Sequence, residues 1–278
     1  HYPGCLGERA DHRTCPDQSL QTSGGFCVKP TPDIHTELEA RQALIEQALN
    51  LNRLGINHGK SGNVSLRWHR SAKAQGEGLL ITPSAIAYEK LQAQDLVWIS
   101  LQDDPPRVDG HYKPSSEWRM HRDLLRARSD CMAVVHTHSL YASALSCMPN
   151  IQREGIPAFH YMVAMSRANR ITCASYARFG SDDLSQSMLK ALGPNARACL
   201  LAHHGVIAAG EDLASALGLA QEVEALAMMY SQCLALGGPA VLSEQAMHAV
   251  QEAFVSYRHP GLNVQDQHAT EPPTRGAA

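Results

Sequence analysis

The sequence predicts an α/β protein in three layers, with helices on both faces of a central mixed sheet. Two observations predict it. Segments with apolar residues at helical spacing alternate along the chain with short runs rich in Val, Ile, Leu and Trp. Two of those short runs are separated only by a polar turn, so a hairpin must sit among the helix-linked strands.

The elements follow in order. "HTELEARQALIEQALNLNRLG" carries a helical apolar stripe and stops at Gly55, where a left-handed residue ends a helix without steric cost. "GNVSLRW" and "GLLITPS" read as strands around a polar turn near residues 73–78, and "LVWISL" as another strand. "SSEWRMHRDLLRAR" is an amphipathic helix, with Pro114 and two serines at its start. "AVVHTH" is a strand, residues 141–146 a helix, and residues 156–161 a short strand. "DDLSQSMLKAL" is helical, "ACLLAHHGVIAAG" a strand followed by a turn, and "DLASALGLAQEVEALAMMYSQCLALGG" a long helix halted by glycines. The predicted globular part spans about residues 33–258. Residues 1–32 and 259–278 are rich in Gly, Pro, Ser and charge without apolar periodicity, and are expected to be flexible extensions.

Composition excludes several functions. A net charge of −3 offers nothing to nucleic acid or to an anionic membrane. No apolar run reaches the roughly 18 residues that span a bilayer, and the first residues carry no apolar signal core. A cytoplasmic protein is therefore expected. The eight cysteines (5, 15, 27, 131, 147, 173, 199, 233) form no C-x-x-C pair, and the last five read as buried thiols. Neither G-x-x-x-x-G-K-[ST] nor G-x-G-x-x-G is present, so no nucleotide fingerprint is found.

Chemistry concentrates in four places. In "AVVHTHS" two histidines, His136 and His138, stand two apart at the end of a strand, where side chains share a face. In "AHHG" His203 and His204 end a second run, and adjacent strand residues face opposite ways, so at most one joins the first pair. Three imidazoles from two strands suit a metal with a position left open for water or substrate. In "KPSSEW" Ser115 and Ser116 precede a helix whose free N–H groups favour an anion, and Glu117 matters chemically only if the fold brings it to the histidines. The turns "GKSGNVS" and "ITPSA" offer Gly62, Asn63 and Ser84 as donors to a phosphate.

The segments "NHGKSGNVSLR", "LLITPSAIAYEKL", "KPSSEWRMHRDL", "AVVHTHS", "IPAFHYMVA", "CASYARFG" and "LLAHHGVIA", in this order, resemble the class II aldolase/adducin-head family. Within it the chain is similar to the sugar-phosphate aldolases that act on L-fuculose 1-phosphate. The resemblance covers about residues 35–258 and implies a largely antiparallel central sheet. It implies one zinc ion per subunit, held by His136, His138 and His204, with Glu117 as fourth ligand and proton carrier. It implies phosphate binding by Gly62, Asn63, Ser84, Ala85, Ser115 and Ser116. Tyr161 is implied to reach a neighbouring subunit's site and protonate the aldehyde oxygen, with Phe179 and Tyr257 at the aldehyde end. The expected assembly is a homotetramer with sites between subunits.

The activity so implied is reversible cleavage of a ketose 1-phosphate, through a zinc-stabilised enediolate, to dihydroxyacetone phosphate and an aldehyde such as L-lactaldehyde. Alternatives on the same fold are a sugar-phosphate decarboxylase or epimerase, a methylthioribulose-phosphate dehydratase, an aldolase for 5-deoxypentulose phosphates, or a non-catalytic adducin-like head. The chain departs from the family pattern at Lys60, Ala85, Thr137, Arg167 and Ala168. Ala85, Arg167 and Ala168 stand where glycines are usual, and none of the five removes a group with an implied chemical role.

Overall fold

Thr36 opens the first helix. Its hydroxyl accepts from the Glu39 backbone N–H at 3.2 Å, and the Glu39 carboxylate accepts from the Thr36 N–H at 2.8 Å. Such a reciprocal cap stabilises a helix start by about 1 kcal/mol. The structure, a computed structural model, describes residues 34–71 and 76–258, and the two extensions expected from sequence lie outside the described residues.

From this cap the chain forms α1 (Glu37–Arg53), β1 (Asn63–His69), β2 (Glu77–Ile81), β3 (Val97–Ser100), β4 (Val108–Asp109) and α2 (Trp118–Ala127). It continues through β5 (Ala133–Thr137), α3 (Leu140–Ser146), α4 (Pro149–Glu154), β6 (Ile156–Pro157), a 3₁₀ segment (Tyr161–Ser166), β7 (Arg170–Ile171) and β8 (Cys173–Ala174). It ends with α5 (Asp182–Leu192), β9 (Ala198–Leu201), β10 (Gly205–Gly210), α6 (Leu213–Ala235) and α7 (Glu244–Arg258). The strands β4-β3-β2-β1-β5-β10-β9-β8 form one sheet in that order. All its neighbours are antiparallel except β8 and β9. This is the predicted mixed, largely antiparallel sheet of a three-layer α/β/α fold.

Strand periodicity divides the sheet between two cores. Leu66, Leu80, Trp98, Val135, Leu200 and Val206 pack with α1, α3 and α6 on one face. Leu79, Ile81, Val134, Cys199, Leu201 and Ile207 pack with Met120, Leu124, Leu184 and Met188 of α2 and α5 on the other. Because side chains alternate, His136 shares the α2 face with Val134. The pairing of β1 with β5 sets Asn63 opposite His136 and Ser65 opposite Val134, so those two polar side chains face α2 as well. Register and parity alone thus deliver three polar groups to the first turns of α2.

Several elements differ from their sequence reading. "ACLLAHHGVIAAG" is not one strand and a turn but two antiparallel strands joined at residues 202–204. The expected strand over 156–161 ends at Pro157, which has no N–H for a ladder. Beyond it the chain coils, with Phe159 N–H donating to Pro157 O at 2.8 Å. The helix after "KPSS" starts only at Trp118, because Ser115 N–H is engaged by Thr82 O at 3.1 Å and Pro114 bridges Pro83. Helices α4 and α7 were not anticipated. Of the five described cysteines, all free, Cys131 and Cys199 are buried, but Cys173 and Cys233 are half-buried and Cys147 is exposed. None of the described helices is long and apolar enough to cross a membrane.

Candidate metal centre

Four side chains converge where β5, the β9–β10 turn and the start of α2 meet. They are Glu117, His136, His138 and His204, whose ligand atoms all lie within 4.8 Å of one another. The three imidazole rings form a nearly symmetrical trio, with centroids 4.8–4.9 Å apart and interplanar angles of 68–73°. Nε2 of His138 lies 3.0 Å from Nε2 of His136. Glu117 closes the fourth side, with Oε2 3.0 Å from His136 Nε2 and Oε1 3.0 Å from His204 Nε2. His136 is oriented by its other nitrogen, Nδ1, which donates to Val206 O at 2.9 Å. That tautomer leaves Nε2 free to bind a metal.

Local backbone geometry selects His204 over His203. His203 adopts a left-handed conformation (φ 57°) in the turn. It is exposed, with Nε2 2.9 Å from Gln152 Nε2 and its ring 5.9 Å from Tyr176. His204 is turned inward. Strand alternation allowed at most one of the two to join the pair, and the resemblance named His204; both residues sit in a turn rather than a strand.

The electrostatics is that of a ligand set. Burial alone would raise the Glu117 carboxyl, yet His136 and His204 hold it well below the usual carboxylate range. Burial first, and then repulsion from His136 and His204, together lower His138 to about 4. His136 is raised despite its burial, because Glu117 faces it. Oε1 of Glu117 is buried and makes no hydrogen bond of proper geometry among the described residues. An orphaned carboxylate oxygen beside three imidazole nitrogens fits a divalent cation.

Behind these groups lies a buried polar chain. Asn63 Nδ2 donates to Glu117 Oε2 at 3.1 Å, Asn63 Oδ1 bonds His121 Nε2, and His121 Nδ1 lies 2.7 Å from Ser65 Oγ. His121 and Ser65 were not singled out in the sequence. The signal was there: His121 follows Glu117 by one helical turn, and Ser65 follows Asn63 by one strand repeat.

Beside the centre, three turns come together. Lys60 Nζ donates to Ala85 O at 2.8 Å, tying residues 59–62 to residues 82–85. Ser84 N–H donates to Lys113 O at 3.0 Å and Ser84 Oγ to Pro114 O at 2.8 Å, tying residues 82–85 to residues 113–116. Gly62 lies so close to β5 that a Cβ there would stand 2.6 Å from His136 O. The absent side chain is what lets this turn adjoin the metal centre. Ser115 is buried and its Oγ accepts from Glu117 N–H at 3.3 Å, whereas Ser116 is exposed. The Asn63 side chain is 3% exposed and bonds Glu117 and His121.

Residues 42–231 match the model of the class II aldolase and adducin N-terminal domain. The chain belongs to that family. It is 43% identical over 222 residues to a 5-methylthioribulose-1-phosphate/5-deoxyribulose-1-phosphate aldolase of Rhodospirillum rubrum, covering 80% of this chain and 94% of that protein. It is 42% identical over 228 residues to an L-fuculose phosphate aldolase of Escherichia coli, covering 82% and 97%. A solved L-fuculose 1-phosphate aldolase superposes with a TM-score of 0.70 at 32% identity, covering 80% of this chain and 98% of that one. Class II aldolases are metal-dependent, and the Glu117–histidine cluster of this family member can hold the ion.

Two further sequence-derived positions of this class II aldolase, Tyr161 and Phe179, are exposed. Tyr161, 48% exposed, has its ring 4.8 Å from that of His160 and 6.4 Å from that of Phe254. Phe179 is 60% exposed beside the start of α2, where Arg119 donates to Gly180 O at 3.4 Å. Tyr257 falls in the last turn of α7, with its side chain outside the described residues. Arg167 is left-handed (φ 58°) and pairs with Glu211 and Asp130.

Ala85 also holds a left-handed conformation, φ 67°, on an exposed turn. An L-residue is strained there by roughly 1–2 kcal/mol. Ala85→Gly is expected to stabilise the protein by about 0.5–1 kcal/mol, after the entropy that glycine adds to the unfolded chain is subtracted. Thermal unfolding checks this, and a lowered midpoint would mean the turn carries no such strain.

Proposed function

We propose that this chain cleaves a ketose 1-phosphate, L-fuculose 1-phosphate or a similar deoxyketose phosphate, reversibly to dihydroxyacetone phosphate and a short aldehyde. One zinc ion per subunit serves the reaction. The observation that carries this reading is the convergence of three imidazoles and a carboxylate beside three turns that hydrogen bonds tie together. Its aldolase relatives support it.

When bound by Glu117, His136, His138 and His204, the metal supplies Lewis-acid polarisation of substrate oxygens, spreading the charge that carbon–carbon cleavage leaves behind. The protein supplies the rest. Gly62, Ser84, Ala85, Ser115 and Ser116 face the phosphate and convert its binding energy into orientation of the distant reacting carbons. Asn63 stands among them, with its side chain held on Glu117 and His121. Glu117 carries the proton at C3 of the dihydroxyacetone phosphate half. Tyr161, from a neighbouring subunit of a homotetramer, serves the oxygen on C4, a role that suits a half-exposed tyrosine. Phe179 and Tyr257 border the aldehyde.

A second substrate is favoured by a specific observation. The Rhodospirillum rubrum relative, 43% identical, is named for 5-methylthioribulose and 5-deoxyribulose 1-phosphates. Those substrates would release methylthioacetaldehyde or acetaldehyde with the same three-carbon product.

The test uses the purified full chain. Incubation with dihydroxyacetone phosphate in D₂O should exchange one C3 proton stereospecifically, stop on chelation and resume with zinc. Light scattering on the same sample should report about four chain masses. Offering L-lactaldehyde, acetaldehyde and methylthioacetaldehyde in turn then ranks the aldehydes by condensation rate. Absence of exchange in zinc-loaded protein, with aldehydes present, would sink the aldolase reading.

A further inference from the structure

We propose that His121 is a positioning residue for Glu117, acting through Asn63. The inference rests on Glu117 serving as metal ligand and proton carrier. Nothing in the reaction as described uses this histidine, yet it is fully buried and both its ring nitrogens are engaged.

The direction of each bond follows from the far end. An ionised carboxylate only accepts, so Asn63 must present its NH₂ to Glu117 Oε2. Asn63 Oδ1 is then left facing His121, and Nε2 of that ring must carry the proton. Nδ1 is therefore bare and accepts the hydroxyl proton of Ser65. Ser65, His121, Asn63 and Glu117 form one chain of donors, each polarising the next toward the carboxylate. Burial, which pushes the His121 ring down to about 3, keeps it in this neutral form.

The geometry gives the chain a purpose. Asn63 donates to Oε2 of Glu117, while Oε1 faces only the His204 Nε2 at 3.0 Å. The amide thus anchors one carboxylate oxygen from behind and leaves the other turned to the imidazoles. A merely packed core residue would need volume but not an Nε2–H. A relay residue needs the N–H above all, and partners that orient metal ligands typically matter by about 10- to 100-fold in affinity or activity.

Two substitutions separate these roles. His121→Met keeps comparable volume and removes the donor, whereas His121→Gln retains an amide N–H within reach of Asn63. Both are made in the full chain, with circular dichroism and thermal unfolding to confirm the fold. The readouts are zinc affinity by chelator competition, the visible spectrum of the cobalt-substituted protein, and kcat and KM for proton exchange in dihydroxyacetone phosphate.

His121→Met is expected to lose about 10- to 100-fold in zinc affinity and in kcat, with KM within about twofold and a changed cobalt spectrum. His121→Gln is expected to recover most of each. A folded Met variant equal to wild type in affinity, spectrum and kcat overturns the relay, as does a folded Gln variant as damaged as Met. If His121→Met does not fold, Ser65→Ala should show a severalfold loss of zinc affinity, and an unchanged affinity overturns the proposal. Wild-type protein that binds zinc but exchanges no proton would instead overturn the aldolase reading, with affinity and spectrum still deciding the relay.

Discussion

Glu117→Gln should reduce C3 proton exchange of dihydroxyacetone phosphate by about 10²- to 10⁴-fold, the range for removal of a positioned proton carrier. Zinc affinity should fall with it. In the native site two influences on this carboxyl oppose each other: burial raises its proton affinity, and His136 and His204 lower it. Burial is the influence that favours the protonated form in which Glu117 would carry the proton. Glutamine lacks the charge to balance the cation, and with its amide oxygen accepting from the Asn63 NH₂ it turns toward the imidazoles an NH₂ that cannot ligate a metal. Deuterium exchange followed by NMR, with zinc content measured on the same sample, checks both effects. Exchange at wild-type rate in a zinc-loaded Glu117→Gln protein would remove Glu117 from the proton transfer.

Gly205→Ala should damage stability and metal binding together. A Cβ at Gly205 would lie 2.3 Å from Thr137 O and 3.2 Å from the His138 ring. The first contact is with backbone in the middle of the sheet, where Val206 pairs with Thr137 and cannot yield cheaply. Overpacking of this kind costs about 1–3 kcal/mol, which for a chain of this size lowers the unfolding midpoint by several degrees, at roughly 2–4 °C per kcal/mol. The displaced residues include His204, which precedes the glycine, and His138, so zinc affinity should drop at least about tenfold. Thermal unfolding with and without zinc measures both parts. A variant that loses stability but keeps full zinc affinity would show that the imidazole trio does not depend on this contact.

Much of the fold was legible locally. The stripe of α1, the hairpin of β1 and β2 and the run into β5 each carry their signal within a few residues, because helical and strand periodicities are short-range properties. The pair His136 and His138 was legible for the same reason, since two residues apart at a strand end means one face, whereas His204 in its turn was legible only through the family resemblance. Where the reading failed, a distant partner had intervened. Thr82 holds Ser115 extended and delays α2 to Trp118, so the residues expected to open the helix instead border the three turns.

Spacing along the chain dictates which side chains can share a face: His136 with His138, at most one of His203 and His204, Asn63 with Ser65, and Glu117 with His121. That these sets meet is a property of the assembled fold. The register that places Asn63 opposite His136 and the packing of α2 over that face join residues more than fifty positions apart. Neither is encoded in a local repeat. Both follow from burying the two apolar faces of one sheet at once, a condition that involves the whole described chain.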